Sequence, residues 1–231
     1  MSLFNKLDRK FGKPLDPKKK IGTLITDKKT EAESLRQFGK DFSISTDTLK
    51  DWAKINGDDV SCTVDAIAEL NVEARKLLDN YIKSINTQVG EFKEIKASEK
   101  NLKALKSNLK ELSQKLDENF VKEKSTLEIV EENYSKAKKE YEVKSNEHDA
   151  FVREKLRKSY VKQFDSLKEL AQKLDIIATF GKHAANQIPL GFIPVDSEKP
   201  EFKGQETLRE IVTDAKESLN LWTNDEPEFE E

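Results

Sequence analysis

The chain is highly charged and poor in the residues that make turns. Its 231 residues are 37% charged, whereas an average globular domain is about 25% charged. The eight Gly and six Pro argue against barrels, sandwiches and doubly wound sheets, because the many turns of those folds use both residues. A net charge of −3 excludes a nucleic-acid binder that is basic overall.

The cysteine content and the hydropathy favour a cytoplasmic protein. Cys62 is the only cysteine, so no internal disulfide can form, and the chain is suited to a reducing compartment. The N-terminus carries Lys6, Asp8 and Arg9 among its apolar residues, unlike a secretory signal. No run of about 18 apolar residues is present that would span a bilayer. Any membrane contact is therefore expected to be peripheral.

Residues 1–26 are predicted to form a basic amphipathic leader and linker. Residues 1–20 hold seven Lys or Arg and two Asp, a local charge of +5. Their apolar residues recur at helical spacing opposite the bases, a pattern typical of segments that insert into a bilayer interface. A short helix packed on its own domain, or a disordered basic leader, would show the same pattern. The residues that would insert are Phe4, Lys6, Leu7, Arg9, Lys10 and Phe11.

The rest of the chain is predicted to be all-α. Between Asp58 and Phe180 there is no proline and one glycine, so this stretch has almost nothing that breaks a helix. Asp27 can cap a first helix, which the Ser43–Asp47 stretch can interrupt. Apolar residues spaced mostly three and four apart, and a capping box beginning at Ser125, predict two long antiparallel helices. The helices are expected at about 28–56, 63–116, 125–187 and 205–222.

Each long helix would carry a narrow apolar stripe along roughly 80 Å. Two such helices cannot cover their own stripes, so a third helix or a second subunit must do so. An elongated helical homodimer over residues 27–222 is therefore the natural completion. An acidic tail, 223–231, follows it.

No catalytic or metal-binding pattern is found. His148 and His183 lie 35 residues apart and lack the spacing of metal ligands, and Cys62 has no identifiable base beside it. Phosphate-loop and nucleophile-elbow motifs are missing from the sequence. We expect neither an enzyme nor a cofactor. Trp52 and Trp222, each near a helix end, are predicted to anchor the flanking helices.

Lysines form a stripe along the first long helix. Residues 93–115 hold seven lysines and three glutamates, a local charge of +4. A lysine stripe opposite a leucine stripe is typical of a solvated face, and it also suits an anionic lipid surface. The candidate lipid-binding residues are Lys93, Lys96, Lys100, Lys103, Lys106 and Lys110, at spacings of three and four.

Four short segments, taken in order, resemble the fungal eisosome core-component family, also called long-chain-base-responsive proteins. They cover about residues 28–222 and have the order and spacing of that family. They are Trp52 with Asp58-Asp59-Val60-Ser61, Gln163-Phe164-Asp165-Ser166, Ile177-Ala178-Thr179-Phe180-Gly181-Lys182, and Ala215-Lys216-Glu217-Ser218-Leu219-Asn220-Leu221-Trp222.

The resemblance implies a fold and a lipid site. The fold is of BAR type, a curved antiparallel homodimer of three-helix coiled coils on phosphoinositide-rich plasma membrane. The family associates a basic pair, in a segment like L-K-S-I-R-D, with inositol lipids. The matching segment here, Phe92-Lys93-Glu94-Ile95-Lys96-Ala97, places Lys93 and Lys96 at those positions. Lysine in place of arginine keeps the charge but loses the bidentate fork that suits phosphate. The leader here is also much shorter than the family's usual one.

The predicted function is a membrane-binding scaffold on the cytoplasmic face of the plasma membrane. It would dimerise through the BAR-type domain, bind phosphoinositides through the lysine stripe, and self-assemble around eisosome-like furrows. Higher-order self-assembly, with or without paralogous scaffold subunits, is expected, and nucleic acid is not. The alternative is a soluble coiled-coil adaptor that binds protein partners without membrane contact.

Overall fold

The computed structural model describes residues 21–119, 124–190 and 201–224, and within these ranges the chain forms four helices and no strand. The helices are α1 (Ile21–Ala53), α2 (Asp58–Asn119), α3 (Lys124–Ala185) and α4 (Gln205–Leu221). The predicted all-α class is confirmed. The chain divides into two compact units: unit 1 is Met1–Thr30 with Asn86–Val161, and unit 2 is Glu31–Ile85 with Lys162–Glu231.

Helix α1 differs from the prediction at its start and in its middle. It begins at Ile21, so residues 21–26, which were expected in the linker, are helical. Ile21, Leu24 and Ile25 pack in the apolar core of unit 1, and this burial stabilises an extra turn that local sequence signals do not predict. The Ser43–Asp47 stretch does not interrupt the helix.

Hydroxyl groups explain why α1 continues through this polar stretch. The Ser43 and Thr46 hydroxyls donate to backbone carbonyls four residues earlier, at 3.0 and 2.9 Å. The hydroxyls are thus satisfied within the helix and do not compete with its backbone. Thr46 is also buried, and its hydroxyl accepts a hydrogen bond from Asn71 of α2.

The turn between α1 and α2 requires a glycine. Gly57 has a φ of 111°, which side-chain-bearing residues rarely adopt, and its carbonyl accepts the backbone N–H of Ser61. Asp58 and Asp59 then lie in the first turn of α2, where carboxylates interact favourably with the helix dipole. Helix α2 therefore begins before residue 63, where the apolar periodicity was expected to start.

The core of unit 1 is formed by three helices. Ile25 of α1 and Val89, Phe92 and Ile95 of α2 are buried against Phe151, Val152 and Leu156 of α3. Within 96–116 and 128–158 no side chain is fully buried. All five leucines of α2 in this stretch are half-buried, as expected where one helix covers a seam that two would bury.

In unit 2, α1 packs closely on α2 through small residues spaced seven apart. Ala32, Gly39, Thr46 and Ala53 are all buried. A Cβ on Gly39 would fall 1.4 Å from Arg75 Nη1, so the glycine admits the guanidinium between the helices. Arg75 donates to Asp79 and to the Arg36 carbonyl. In the same unit, α4 packs on α2 and α3 through Leu208, Val212 and Ala215.

Several positions in the core are polar. In unit 1, Gln88 is 1% exposed and Ser159 is 5% exposed. In unit 2, Gln163 is buried and its amide lies 3.5 Å from the Tyr81 hydroxyl. Neither side-chain amide atom of Gln88 has a hydrogen-bond partner among the described residues. A buried polar group left in this state reduces the free energy of unfolding.

Replacing Gln88 with leucine is expected to stabilise the fold. The change removes an unsatisfied amide and keeps a side chain of similar length, so the free energy of unfolding should rise by about 1–3 kcal/mol. Chemical denaturation followed by circular dichroism measures it. Gln172→Leu, at an exposed position of α3, is the matched control and should shift the free energy by less than about 0.5 kcal/mol. A loss of stability in Gln88→Leu would mean that water satisfies the amide.

Candidate membrane interface

The six candidate lysines form one exposed row on α2 within unit 1, here called the lysine row: Lys93, Lys96, Lys100, Lys103, Lys106 and Lys110. The row is fixed by the core beneath its first members. Phe92 and Ile95, which alternate with Lys93 and Lys96, are 0% and 2% exposed. Lys93 and Lys96, which flank these buried residues, are themselves exposed.

The lysines of the row differ from other lysines of the helices in their ion pairing. Within the part of the chain that the structure describes, none of its six lysines forms an ion pair. Other lysines do: Lys76, Lys115, Lys136 and Lys144 each pair with a glutamate three or four residues away. The Glu111–Lys115 pair also holds the pKa of Glu111 below its ordinary value, through a hydrogen bond from the ammonium.

The two glutamates beside the start of the row are bound from α3. Lys155 Nζ lies 2.6 Å from Glu91 Oε2 and 2.7 Å from Glu94 Oε2. Hydrogen bonds to these two carboxylates raise the pKa of Lys155 above its ordinary value. The same ammonium lies 5.6 Å from the centroid of the Phe151 ring, within the range of a cation–π contact.

The described chain begins beside the lysine row. A Cβ on Gly22, in the first turn of α1, would lie 3.4 Å from Lys96 Nζ. Residues 1–20 are therefore joined to unit 1 next to Lys96. The predicted membrane-inserting residues Phe4, Lys6, Leu7, Arg9, Lys10 and Phe11 lie outside the described residues, as does the tail from Asp225 onward.

Large apolar side chains are exposed along α1 in unit 2. Phe38, Leu49 and Trp52 are 60%, 40% and 54% exposed, and Phe42 stacks on Phe38 with ring centroids 6.2 Å apart. Their spacing places them on one side of the helix. We call these four residues the α1 apolar face. The prediction that Trp52 anchors α1 on the bundle was wrong, because the small residues of the buried side make that contact.

A second such surface lies on α3 in unit 2. Phe164, Leu167 and Leu174 are exposed, with the exposed Ala171 and Ala178 at the intervening positions. We call these five residues the α3 apolar face. The buried side of α3 in unit 2 instead carries Gln163, one residue before Phe164, and Ile177, three residues after Leu174.

The heptad spacing of both apolar faces is visible in the sequence. Helix α3 carries two rows of residues at that spacing, of which one is buried and the other is the exposed α3 apolar face. The spacing alone does not show which row is buried. Trp222 does contact the bundle: Lys173 Nζ lies 4.7 Å from its ring centroid. In that role the prediction for Trp222 agrees with the structure.

The histidine and cysteine positions have ordinary structural contacts. His148 Nδ1 lies 2.8 Å from the Ser98 hydroxyl, and Cys62 Sγ accepts a hydrogen bond from the Gln205 amide at 3.2 Å. Among the described side chains, no group of three or more His, Cys, Asp or Glu is placed to hold a metal ion. None of the described helices is both long enough and apolar enough to cross a bilayer.

Comparison with known proteins identifies relatives along most of the chain. The family model described as eisosome component PIL1 matches residues 2–225. Two Saccharomyces cerevisiae proteins, the sphingolipid long chain base-responsive proteins LSP1 and PIL1, are each 25% identical over 209 and 217 residues. These alignments cover 90% and 93% of this chain, and 61% and 63% of the yeast proteins.

A Schizosaccharomyces pombe protein, the probable sphingolipid long chain base-responsive protein pil1, is 37% identical over 76 residues, which are 33% of this chain and 22% of that protein. The chain thus spans less than two thirds of the length of these relatives. Since the family model matches nearly the whole chain, the resemblance noted from the sequence is confirmed. This chain belongs to the eisosome component family.

Proposed function

We propose that this protein is a dimeric scaffold of eisosomes that binds the cytoplasmic face of the plasma membrane through the lysine row. The observation that carries the proposal is a row of six exposed lysines that make no ion pair with the described residues. Membership of the eisosome component family supports the scaffold role. The names of the yeast relatives refer to sphingolipid long chain bases, which is consistent with work at a lipid surface.

The charge of the lysine row suits an anionic leaflet. Each lysine near such a surface contributes about 1 kcal/mol, and the attraction falls off within a Debye length. A dimer that presents two rows to one membrane binds more tightly than a single chain, because the second contact is intramolecular. Phosphoinositides, which carry several phosphates each, offer the highest local charge. The lysines act as point charges, since they lack the fork with which arginine grips a phosphate.

Dimerisation of BAR type is proposed to bury the two apolar faces of unit 2. Scattered exposed apolar residues are normal, but rows of large ones at heptad spacing are typical of helices that pack against another helix. The α1 apolar face includes Trp52 and Phe38, and the α3 apolar face includes Phe164 and Leu167. A second copy of the chain presents the same faces, so a two-fold symmetric contact covers both at once.

The leader is proposed to add a hydrophobic contact to the electrostatic one. The leader is attached to α1 at Ile21, and the next residue, Gly22, lies beside Lys96 of the lysine row. Phe4, Leu7 and Phe11 would enter the interface while Lys6, Arg9 and Lys10 contact headgroups. Assembly of such dimers, alone or with paralogous subunits, would then form the scaffold around a furrow.

Removing two lysines of the row tests the membrane contact. Lys93→Ala/Lys96→Ala should lower the affinity for vesicles containing phosphatidylinositol bisphosphate by about tenfold or more, because two charges near the surface are lost. Cosedimentation measures the bound fraction. Lys40→Ala/Lys203→Ala removes the same charge from exposed positions of unit 2 and is the matched control.

Vesicles with phosphatidylserine at equal total charge separate a headgroup preference from general attraction. If the wild-type protein remains in the supernatant with both lipids while folded, the membrane role fails and the adaptor alternative takes its place. If both double variants lose affinity equally, the lysine row is not the contact.

Charged substitutions in the apolar faces test the dimer. Phe164→Glu and Trp52→Glu should shift the protein toward monomer in sedimentation velocity, because burying a carboxylate at a helix contact is costly. Val143→Glu is the matched control: Val143 is 54% exposed and belongs to unit 1, whereas both apolar faces belong to unit 2. A wild-type protein that is already monomeric, or variants that remain dimeric, would contradict the proposed interface.

A further inference from the structure

We infer that Lys155 is a positioning residue of the membrane interface: by binding Glu91 and Glu94 it neutralises two of the three carboxylates at this end of the lysine row and keeps this end positive. The inference rests on the proposed membrane function and adds a residue from α3 to it. The contact was not foreseen from the sequence, because Lys155 lies more than 60 positions from both glutamates.

The two glutamates have no lysine of α2 within reach. Side chains three and four residues apart on a helix are neighbours, whereas those one and two apart are not. The positions three and four away from Glu91 are Thr87, Gln88, Glu94 and Ile95, and those from Glu94 are Gly90, Glu91, Ala97 and Ser98. Each glutamate therefore has the other as its charged neighbour on α2. Such a like-charged pair is destabilising by itself.

Lys155 resolves this repulsion with one ammonium. Its Nζ lies 2.6 Å from Glu91 Oε2 and 2.7 Å from Glu94 Oε2, and within the described residues it is the cation that pairs with either. The site is partly shielded, since the side chains of Lys155 and Glu91 are 19% and 18% exposed. Contacts in such a place are screened less by salt than those on the open surface.

The core of unit 1 holds Lys155 in place. Phe151, one turn earlier on α3, packs against the cluster of Phe92 and Ile95, and its ring lies 5.6 Å from the Lys155 ammonium. Leu156, the next residue, packs against the same cluster. These apolar contacts thus fix the register that brings Lys155 to the glutamates.

Neutralising these carboxylates changes the charge that a membrane meets. Residues 91–100 contain three lysines and three glutamates, so α2 by itself is neutral over this stretch. Helix residues rise 1.5 Å each, which places all six charges within about two Debye lengths of one another. With Lys155 the stretch has a net charge of +1, and Glu99 is its one carboxylate outside the Lys155 contact.

Four variants separate charge from structure. Lys155→Met leaves both carboxylates uncompensated and should weaken binding to phosphatidylserine and phosphatidylinositol bisphosphate vesicles by about two- to fivefold. Lys155→Arg keeps the charge and should bind within about twofold of wild type. Glu91→Gln/Glu94→Gln should bind more tightly than wild type. The triple variant Glu91→Gln/Glu94→Gln/Lys155→Met has a net charge of +2 in this stretch, against +1 in wild type, and should bind at least as tightly.

Tight vesicle binding by the triple variant, which lacks Lys155, is the result that a purely structural role of Lys155 would not produce. If Lys155→Met and the triple variant both bind weakly, Lys155 acts by holding the helices together and the inference is overturned. If Lys155→Met binds like wild type, the inference is also overturned, while the proposed function stands. If the wild-type protein does not bind either kind of vesicle, both the inference and the proposed function are overturned. Thermal melting by circular dichroism confirms folding, and if Lys155→Met does not fold, weak binding of the folded triple variant is sufficient to overturn the inference.

Discussion

The buried side of α2 is the constraint on which the rest of the structure depends. In unit 2 it supplies Leu70 and Ile85, and in unit 1 it supplies Phe92 and Ile95, all nearly or fully inaccessible to solvent. A helix that buries one side along its length presents the opposite side along its length as well. The lysine row begins on this helix beside Phe92, so the packing of Phe92 fixes where its first members lie.

In unit 1, the packing of α3 on α2 also determines which charges are paired. The lysines of the row make no ion pair with described residues, whereas Glu91 and Glu94 are bound by Lys155 of α3. Attraction to an anionic surface depends on net charge within a Debye length more than on the number of lysines. The stretch of α2 with equal numbers of lysines and glutamates thus has a net positive charge because α3 supplies a further lysine.

Helix α3 shows why a stripe of apolar residues does not by itself identify the inside of a bundle. Its exposed side carries Phe164 and Leu167, while its buried side carries Gln163 and Ser159. The sequence analysis expected a third helix or a second subunit to cover the apolar stripes of the long helices. In α3, polar residues are buried within the bundle, and the larger apolar residues are exposed, where a further helix can pack against them.

Several features were determined by the sequence alone. The scarcity of proline and glycine and the spacing of apolar residues specify long helices. The ordered segments from Trp52 to Trp222 identify the family. Both patterns are properties of residues that are neighbours along the chain. The exposed lysine row also follows from local spacing, since i, i+3 and i+4 positions share a helix face.

Only the tertiary structure decided which side of each helix is buried and where α1 begins. Ile21 and Ile25 are helical because they pack in the same cluster as Phe92. Trp52 is exposed because Gly39 and Ala53 let α1 approach α2 on the other side. The charge of Glu94 is compensated because α3 brings Lys155 to it. These contacts join residues far apart in the chain. Local propensity does not encode them, since the free energy that selects among competing helix faces comes from burial and charge pairing in the assembled bundle.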